Sequence, residues 1–342
     1  FLLHLPYQYF YPTVYLIREA YRDKDVLAIK MTLYRAGDDS EIIRALAEAA
    51  KNKKQVTVLV ELRARFDEEK NIGWTRDLET AGCHVVYGMP GLKVHSKMAL
   101  VVRKEEGRII RYVHLSTGNY NEKTARVYTD LGYFTANEDF ANDVSDIFNV
   151  ITGYSLGGRY RKVVTSPENM RNYLFELIDK EITFQKKYKN GFIFAKMNSL
   201  EDPGIISKLY EASAAGVKIR LVVRGICSLI PSAAGLSENI EVRSIVGRFL
   251  EHTRIYAFNN NSSPRVFISS ADWMSRNFDR RIELLFEISR QDLAGELRMI
   301  LDEYWKDNVK ARVLMPDGRY LPSAAPGESF NVQEYFIGRY TE

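Results

Sequence analysis

Five histidines occur in the 342-residue chain, and two of them recur in the same setting: His95-Ser96-Lys97 in LKVHSKMALV and His252-Thr253-Arg254 in FLEHTRIYAF. Each stands where a loop enters a strand pattern. Residues i and i+2 of an extended strand share a face, so imidazole and cation can reach one anion. Neutral imidazole is a nucleophile toward phosphorus, and imidazolium is a proton donor. His4, His84 and His114 lack this duplication and read as ordinary surface or core residues. Small polar turns follow each motif, Ser116-Thr117-Gly118-Asn119 and Ser269-Ser270-Ala271-Asp272. They offer hydroxyl and N–H donors to phosphate oxygens, or an oxygen to orient the histidine. Arg35, Arg65 and Arg224 end strand-like stretches. Open α/β sheets bind ligands beyond those ends, and a guanidinium grips phosphate bidentately. An isolated arginine there reads as a surface salt bridge. No carboxylate-and-cysteine set accompanies the histidines, so phosphate suits the cluster better than metal. The chain also lacks a G-x-x-x-x-G-K-[ST] loop, G-x-G-x-x-G, H-R-D and D-F-G; if it handles nucleotide phosphates, it does so without a nucleotide-binding loop.

These residues are carried by a unit that occurs twice. Lys30-Met31 matches Lys196-Met197 at an offset of 166, and IIRALAEAAKNKKQVTVLV matches IISKLYEASAAGVKIRLVV at 163. His95 matches His252 at 157, and Ser116 matches Ser269 at 153. Offsets that shrink in one direction are the mark of a tandem duplication with loop deletions. Within the first copy, Val26–Leu33 is an apolar run suited to a strand covered on both faces. A helix capped by Asp39 or Ser40 is expected to Asn52, then a strand over Gln55–Leu62. Val94–Val102 and Ile109–Ser116 flank KEEGR as a hairpin, and Ala141–Ile151 closes the unit as a helix. The second copy is expected to begin with a capped helix from Ser166 and to end in a helix near Gln291–Lys306. The domains expected are 1–164 and 165–342, each an α/β unit with a mixed sheet flanked by helices.

Hydrophobic residues make up 46% and charged residues 27%, with 48 Lys+Arg against 44 Asp+Glu for a net +4. That balance fits a globular protein, and it excludes disorder as the main state. The small excess charge does not make nucleic acid the default partner. No run approaches the roughly 18 apolar residues of a membrane span. Cys83 and Cys227 are too few for a disulfide framework or zinc ribbon, so a reducing cytoplasm is expected. The opening FLLHLPYQYF has no initiator Met and no basic leader, so the expectation is a piece of a longer chain without a signal peptide.

The paired H-x-K/R motifs on a duplicated α/β unit resemble the phospholipase D superfamily. Longer strings resemble polyphosphate kinases of the first type: TLYRAGDDS, ELRARFDEEKNI, GLKVHSKM, STGNYNEKTARVYTD, RGICSLIP, FLEHTRIYAF and SSADWMSRNFDRRIE. The usual superfamily motif has Asp seven residues after the histidine, where this chain has Val102 and Asn259. That departure disfavours a phosphodiesterase. The resemblance implies two tandem phospholipase D-like catalytic domains with the active site at their interface, lacking the family's upstream domains. It implies an ATP:polyphosphate phosphotransferase in which His95 is the phosphorylated nucleophile and His252 the second essential histidine. Lys97, Asp130 and Glu283 join the catalytic set, and Tyr128, Arg224, His252 and Arg281 the nucleotide contacts. The family's Mg²⁺ site maps to Arg35 and Arg65, which would act through phosphate oxygens because guanidinium has no lone pair to give. Expected partners are ATP/ADP and inorganic polyphosphate, not nucleic acid. Homo-oligomerisation through the full-length chain and peripheral membrane association are further expectations. Two alternatives remain open: a phospholipase D-like phosphodiesterase or nuclease, and a non-catalytic polyanion-binding fragment.

Overall fold

The computed structural model describes residues 1–34, 40–61, 68–153, 155, 158–323 and 328–341, with the side chains of 68–72 left aside. Arg35 and Arg65 therefore lie outside the described residues. Two compact units emerge, Phe1–Val163 with Arg280–Ile282, and Val164–Asp279 with Glu283–Glu342.

In the first unit, Val26–Leu33 is the pivot of a mixed sheet. It pairs parallel with Gln55–Val60 and antiparallel with Lys97–Glu105. The strand order is Leu2–Leu5, Tyr128–Thr135, Arg108–Ser116, Lys97–Glu105, Val26–Leu33, Gln55–Val60, His84–Tyr87. Helix Glu41–Lys51 buries Ile42, Ile43, Ala45, Leu46 and Ala49, a stripe at helical spacing. Together with Val14 and Ile17 of helix Tyr11–Arg22, they close one core with Ile29, Met31, Val58 and Val60. The KEEGR turn forms through Glu106 (φ 46°) and Gly107 (φ 82°). Two successive positive φ values match the right-handed twist of a two-residue hairpin, and glycine supplies the second without strain. Helix Glu138–Ile151 starts a turn earlier than the apolar pattern suggests. The Asn137 side chain accepts the Phe140 N–H at 3.2 Å, and Glu138 and Asp139 complement the helix N-terminus.

The second unit repeats the pairing. Phe192–Met197 lies parallel to Lys218–Val223 and antiparallel to Ile255–Phe258. Its sheet runs Tyr320–Pro322, Ala311–Leu314, Ile240–Ile245, Lys218–Val223, Phe192–Met197, Ile255–Phe258, Arg265–Ser269, Arg281–Glu287. Two expectations need correction. Ser166 ends the strand Val163–Ser166 and caps no helix; the helix is Met170–Tyr188. Pro167 disfavours helical backbone at the residue before it. The unit also continues past Gln291–Lys306 with Ala311–Leu314, Tyr320–Pro322 and helix Val332–Thr341. Asp307 organises this tail, since its carboxylate accepts the N–H groups of Val309, Lys310, Ala311 and Val332 at 3.1, 2.7, 2.9 and 2.9 Å. Among the described residues, no helix is long and apolar enough to cross a membrane.

Candidate active site

His95 stands at a break in the sheet. The expected continuous strand Val94–Val102 is two pieces, Lys93–Val94 and Lys97–Glu105, with His95 and Ser96 between them. Lys93–Val94 pairs parallel with Arg281–Ile282. The N–H groups of His95 and Ser96 both donate to the Ile282 carbonyl, at 3.0 Å each. On one side of the break, Glu61 accepts the Val94 N–H at 3.0 Å through Oε2. On the other, the Thr32 hydroxyl donates to the Ser96 carbonyl at 2.8 Å and accepts the Met98 N–H at 3.1 Å. The backbone that aims the imidazole is thus fastened on both flanks. The His95 ring meets the Tyr34 ring edge-on, with centroids 5.1 Å apart and planes at 86°. Lys97 is buried, donates from Nζ to the His95 carbonyl at 2.5 Å, and lies 5.3 Å from the Tyr34 ring centre.

Downstream of each histidine, the polar turn and the acidic residue form one hydrogen-bonded ladder. In the first unit, Ser116 Oγ donates to the Leu131 carbonyl at 3.0 Å, and Thr117 Oγ1 donates to Asp130 Oδ1 at 2.6 Å. Thr117 Oγ1 also accepts the Leu131 N–H, and Ser116 Oγ the Gly118 N–H, both at 3.0 Å. The second unit repeats every bond. Ser269 Oγ donates to the Leu284 carbonyl at 2.9 Å and Ser270 Oγ to Glu283 Oε2 at 2.5 Å. Ser270 Oγ accepts the Leu284 N–H and Ser269 Oγ the Ala271 N–H, both at 3.0 Å. The turn hydroxyls therefore orient the buried carboxylates of Asp130 and Glu283.

His252 is half-buried between Leu250–Glu251 and the strand Ile255–Phe258. Its carbonyl accepts Arg254 Nη1 at 2.7 Å. Arg254 is buried and also bridges to Asp272, Nη2 to Oδ2 at 3.1 Å. The expectation that this cation shares an anion with His252 meets a structural competitor. Burial alone would raise the Asp272 carboxyl, but the Arg254 charge, its hydrogen bond and the Asn198 N–H hold it below the usual carboxylate range. Arg224, half-buried, donates to Asn198 Oδ1 at 2.6 Å and to the Glu251 carbonyl at 2.7 Å. Beneath this loop Lys196 pairs with Glu251 at 2.8 Å, both buried.

The structure gathers His95, Lys97 and Arg281 at one sheet break, and Arg224, His252 and Arg254 around one loop. Tyr128 is half-buried at the head of Tyr128–Thr135. Reading the sequence missed Tyr34, Glu61 and the hydroxyls' bond to the carboxylates. Tyr34 carried one available signal, as the residue directly after a strand predicted to end at the ligand side. His114 is a core residue: it is buried, its Nδ1 lies 2.9 Å from the Tyr120 hydroxyl, and Nε2 has no partner. Burial raises the Cys83 thiol to about 11, which leaves it inert. Among the described residues, no group of three or more His, Cys, Asp or Glu side chains could hold a metal ion.

Residues 1–156 match the model of the polyphosphate kinase C-terminal domain 1, and residues 163–333 that of domain 2. A polyphosphate kinase of Lactiplantibacillus plantarum is 53% identical over 98% of this chain and 47% of its own length. The crystal structure of polyphosphate kinase from Porphyromonas gingivalis superposes with a TM-score of 0.93 at 38% identity, covering 100% of this chain and 52% of that one. A phosphatidylserine synthase of Haemophilus influenzae shares the fold alone, with a TM-score of 0.58 at 11% identity over 92% of this chain and 87% of that one. The chain spans about half the length of the polyphosphate kinases it matches.

Proposed function

Because the chain belongs to the polyphosphate kinase family and has its tandem phospholipase D-like fold, we propose that it performs reversible transfer of the ATP γ-phosphate to inorganic polyphosphate. The observation that carries this reading is the His95 break. The His95 imidazole is aimed by backbone bonds on both flanks, with the Lys97 ammonium drawn to the His95 carbonyl. The lone pair of the His95 imidazole attacks the γ-phosphorus, the bond to the bridging oxygen breaks, and ADP leaves with that electron pair. A terminal oxygen of polyphosphate then attacks the phosphohistidine, and the P–N bond breaks to return free imidazole. Lys97 and Arg281 offset charge on the transferring group, the task that dominates phosphoryl transfer. His252, Tyr128 and Arg224 are the proposed nucleotide contacts. Asp130 and Glu283, held by their hydroxyls, are proposed to fix histidine orientation. Arg35 and Arg65 are proposed as phosphate contacts, so Mg²⁺ would arrive with the phosphates. The cytoplasm is the proposed compartment, supported by two cysteines that are both free.

A phosphodiesterase is less well supported. Val102 is engaged in the hairpin opposite Arg111, and Asn259 donates to the Asn190 carbonyl at 2.8 Å, so neither supplies the superfamily's carboxylate. The test is incubation with γ-labelled ATP followed by digestion without acid. An acid-labile label on His95 is expected, and it should chase into added polyphosphate. No label, with cleavage of a diester substrate, would overturn the reading.

A further inference from the structure

We infer that Lys93, held by Tyr34, is a further phosphate-binding residue that takes a second unit of an inorganic phosphate chain whose end faces His95. This rests on the function proposed above and assigns it a substrate contact.

Lys93, His95 and Lys97 alternate in sequence, and the structure gathers their side chains around one ring. The Lys93 and Lys97 ammonium groups lie 5.1 and 5.3 Å from the Tyr34 ring centre, and the His95 ring is centred 5.1 Å from it. A cation over an aromatic face is attracted by the ring quadrupole, so Tyr34 limits where a long flexible lysine can point. Lys93 is also the register partner of Arg281, and its N–H donates to the Arg280 carbonyl at 3.1 Å. A phosphate chain beside the break can therefore meet Lys93 and Arg281 together.

The duplication supplies the contrast. At the repeat offset of 157, Lys93 corresponds to Leu250, and at 166, Tyr34 corresponds to Leu200. The ammonium and the ring that holds it are both replaced by leucine around His252. Two interacting residues present only beside the proposed nucleophile point to a task that belongs to that histidine. Space is available: a cavity of about 460 Å³ is lined by Lys93, Arg280, Glu61, Tyr87 and the turn of residues 88–92. That lies within the range of roughly 300–1,000 Å³ common for ligand pockets. Glu61 contributes the wall's carboxylate, and its Oε2 is bonded to the Val94 N–H.

The test is titration of the purified chain with inorganic polyphosphate of fixed length at several salt concentrations. Lys93→Met is expected to weaken binding about tenfold and to reduce the salt slope by about one, as loss of one phosphate contact requires. Tyr34→Phe keeps the ring and should bind as wild type, whereas Tyr34→Leu should follow Lys93→Met. Thermal melts of each variant separate these effects from loss of fold, which would not change the slope by a single counterion. Wild-type affinity and slope in Lys93→Met would overturn the inference. So would an equal loss in Lys51→Met, because Lys51 is an exposed helix residue paired with Glu48. Should the unaltered chain bind no polyphosphate, the proposed function itself falls.

Discussion

The two histidine motifs share a backbone scaffold and differ in how it is charged. In both, the histidine carbonyl accepts the cation two residues on, Lys97 at 2.5 Å and Arg254 at 2.7 Å. In both, a turn hydroxyl bonds a carboxylate and a main-chain N–H. The second unit, however, neutralises Arg254 with Asp272, where the first carries the amide Asn119. The residue after the parallel neighbour strand is Glu61 in one unit and Arg224 in the other. Glu61 accepts the Val94 N–H, and Arg224 donates to the Glu251 carbonyl. Opposite charges thus fasten equivalent backbone, one through its donor and the other through its acceptor. A duplicated scaffold can keep its geometry while its charges are reassigned, and the proposed division of one histidine as nucleophile and the other as its assistant would rest on that.

The contrast breaks most simply at the histidines. His95→Ala should abolish covalent labelling from ATP, whereas His252→Ala should retain the label and slow turnover by about 10²–10⁴, the usual worth of a positioned acid or base. Peptide mapping that finds the phosphate on His252 would reverse the assignment.

Next comes the charge pair confined to the second unit. Asp272→Ala strands the buried Arg254 and should destabilise by about 3–5 kcal/mol in denaturant titration. Asn119→Ala should cost far less, because Asn119 Oδ1 is buried without a hydrogen-bond partner and its removal breaks no such bond. Because the Asp272 carboxyl is held down in the fold, its contribution is present above its ordinary value of 3.8 and is lost as pH falls through the lower folded value.

A third difference lies in the cores. Burial depresses His114 from 6.5 to about 3, and its repeat counterpart is Phe267. Below pH 6.5 the unfolded chain gains a proton that the fold refuses, so stability should drop as pH falls toward 3. At pH 4 the loss is about 3 kcal/mol, at 1.36 kcal/mol per pKa unit. Hydrogen exchange at pH 4 and 7 should show the first unit opening preferentially, and His114→Phe should flatten that dependence.

The smallest effects probe what the units share. Thr117→Val and Ser270→Ala each leave a buried carboxylate and an N–H short of one partner, for about 1–2 kcal/mol apiece. Unequal losses in paired denaturation curves would show that the ladders are not equivalent.

Regular elements were legible where a period was sustained: Val26–Leu33 and Gln291–Lys306 have the bounds their apolar patterns suggest. The break at His95 was not, because Ile282, which receives both N–H groups, comes from the far end of the chain and leaves no local mark. The tail after Lys306 was hidden for a similar reason. It is held by one buried carboxylate, by strand pairing with Ile240–Ile245 and by scattered buried residues such as Leu314, Val332 and Phe336, which set no sustained period. The histidines and their basic neighbours were readable from duplication alone, whereas Arg254 could be seen as structural only once Asp272 stood beside it.

The ladder beside His95 also limits how the gene can drift. A methyl group on Gly118 would stand 2.4 Å from Asp130 Cγ, a collision between a main-chain position and the carboxylate that the turn exists to hold. The second unit carries Ala271 at that place, facing a glutamate instead of an aspartate. Residue size in the turn and carboxylate length on the strand therefore form a linked pair of characters. Single exchanges toward the other copy's residue should be selected against, and recombination between the two halves of the duplication should succeed only when both positions travel together.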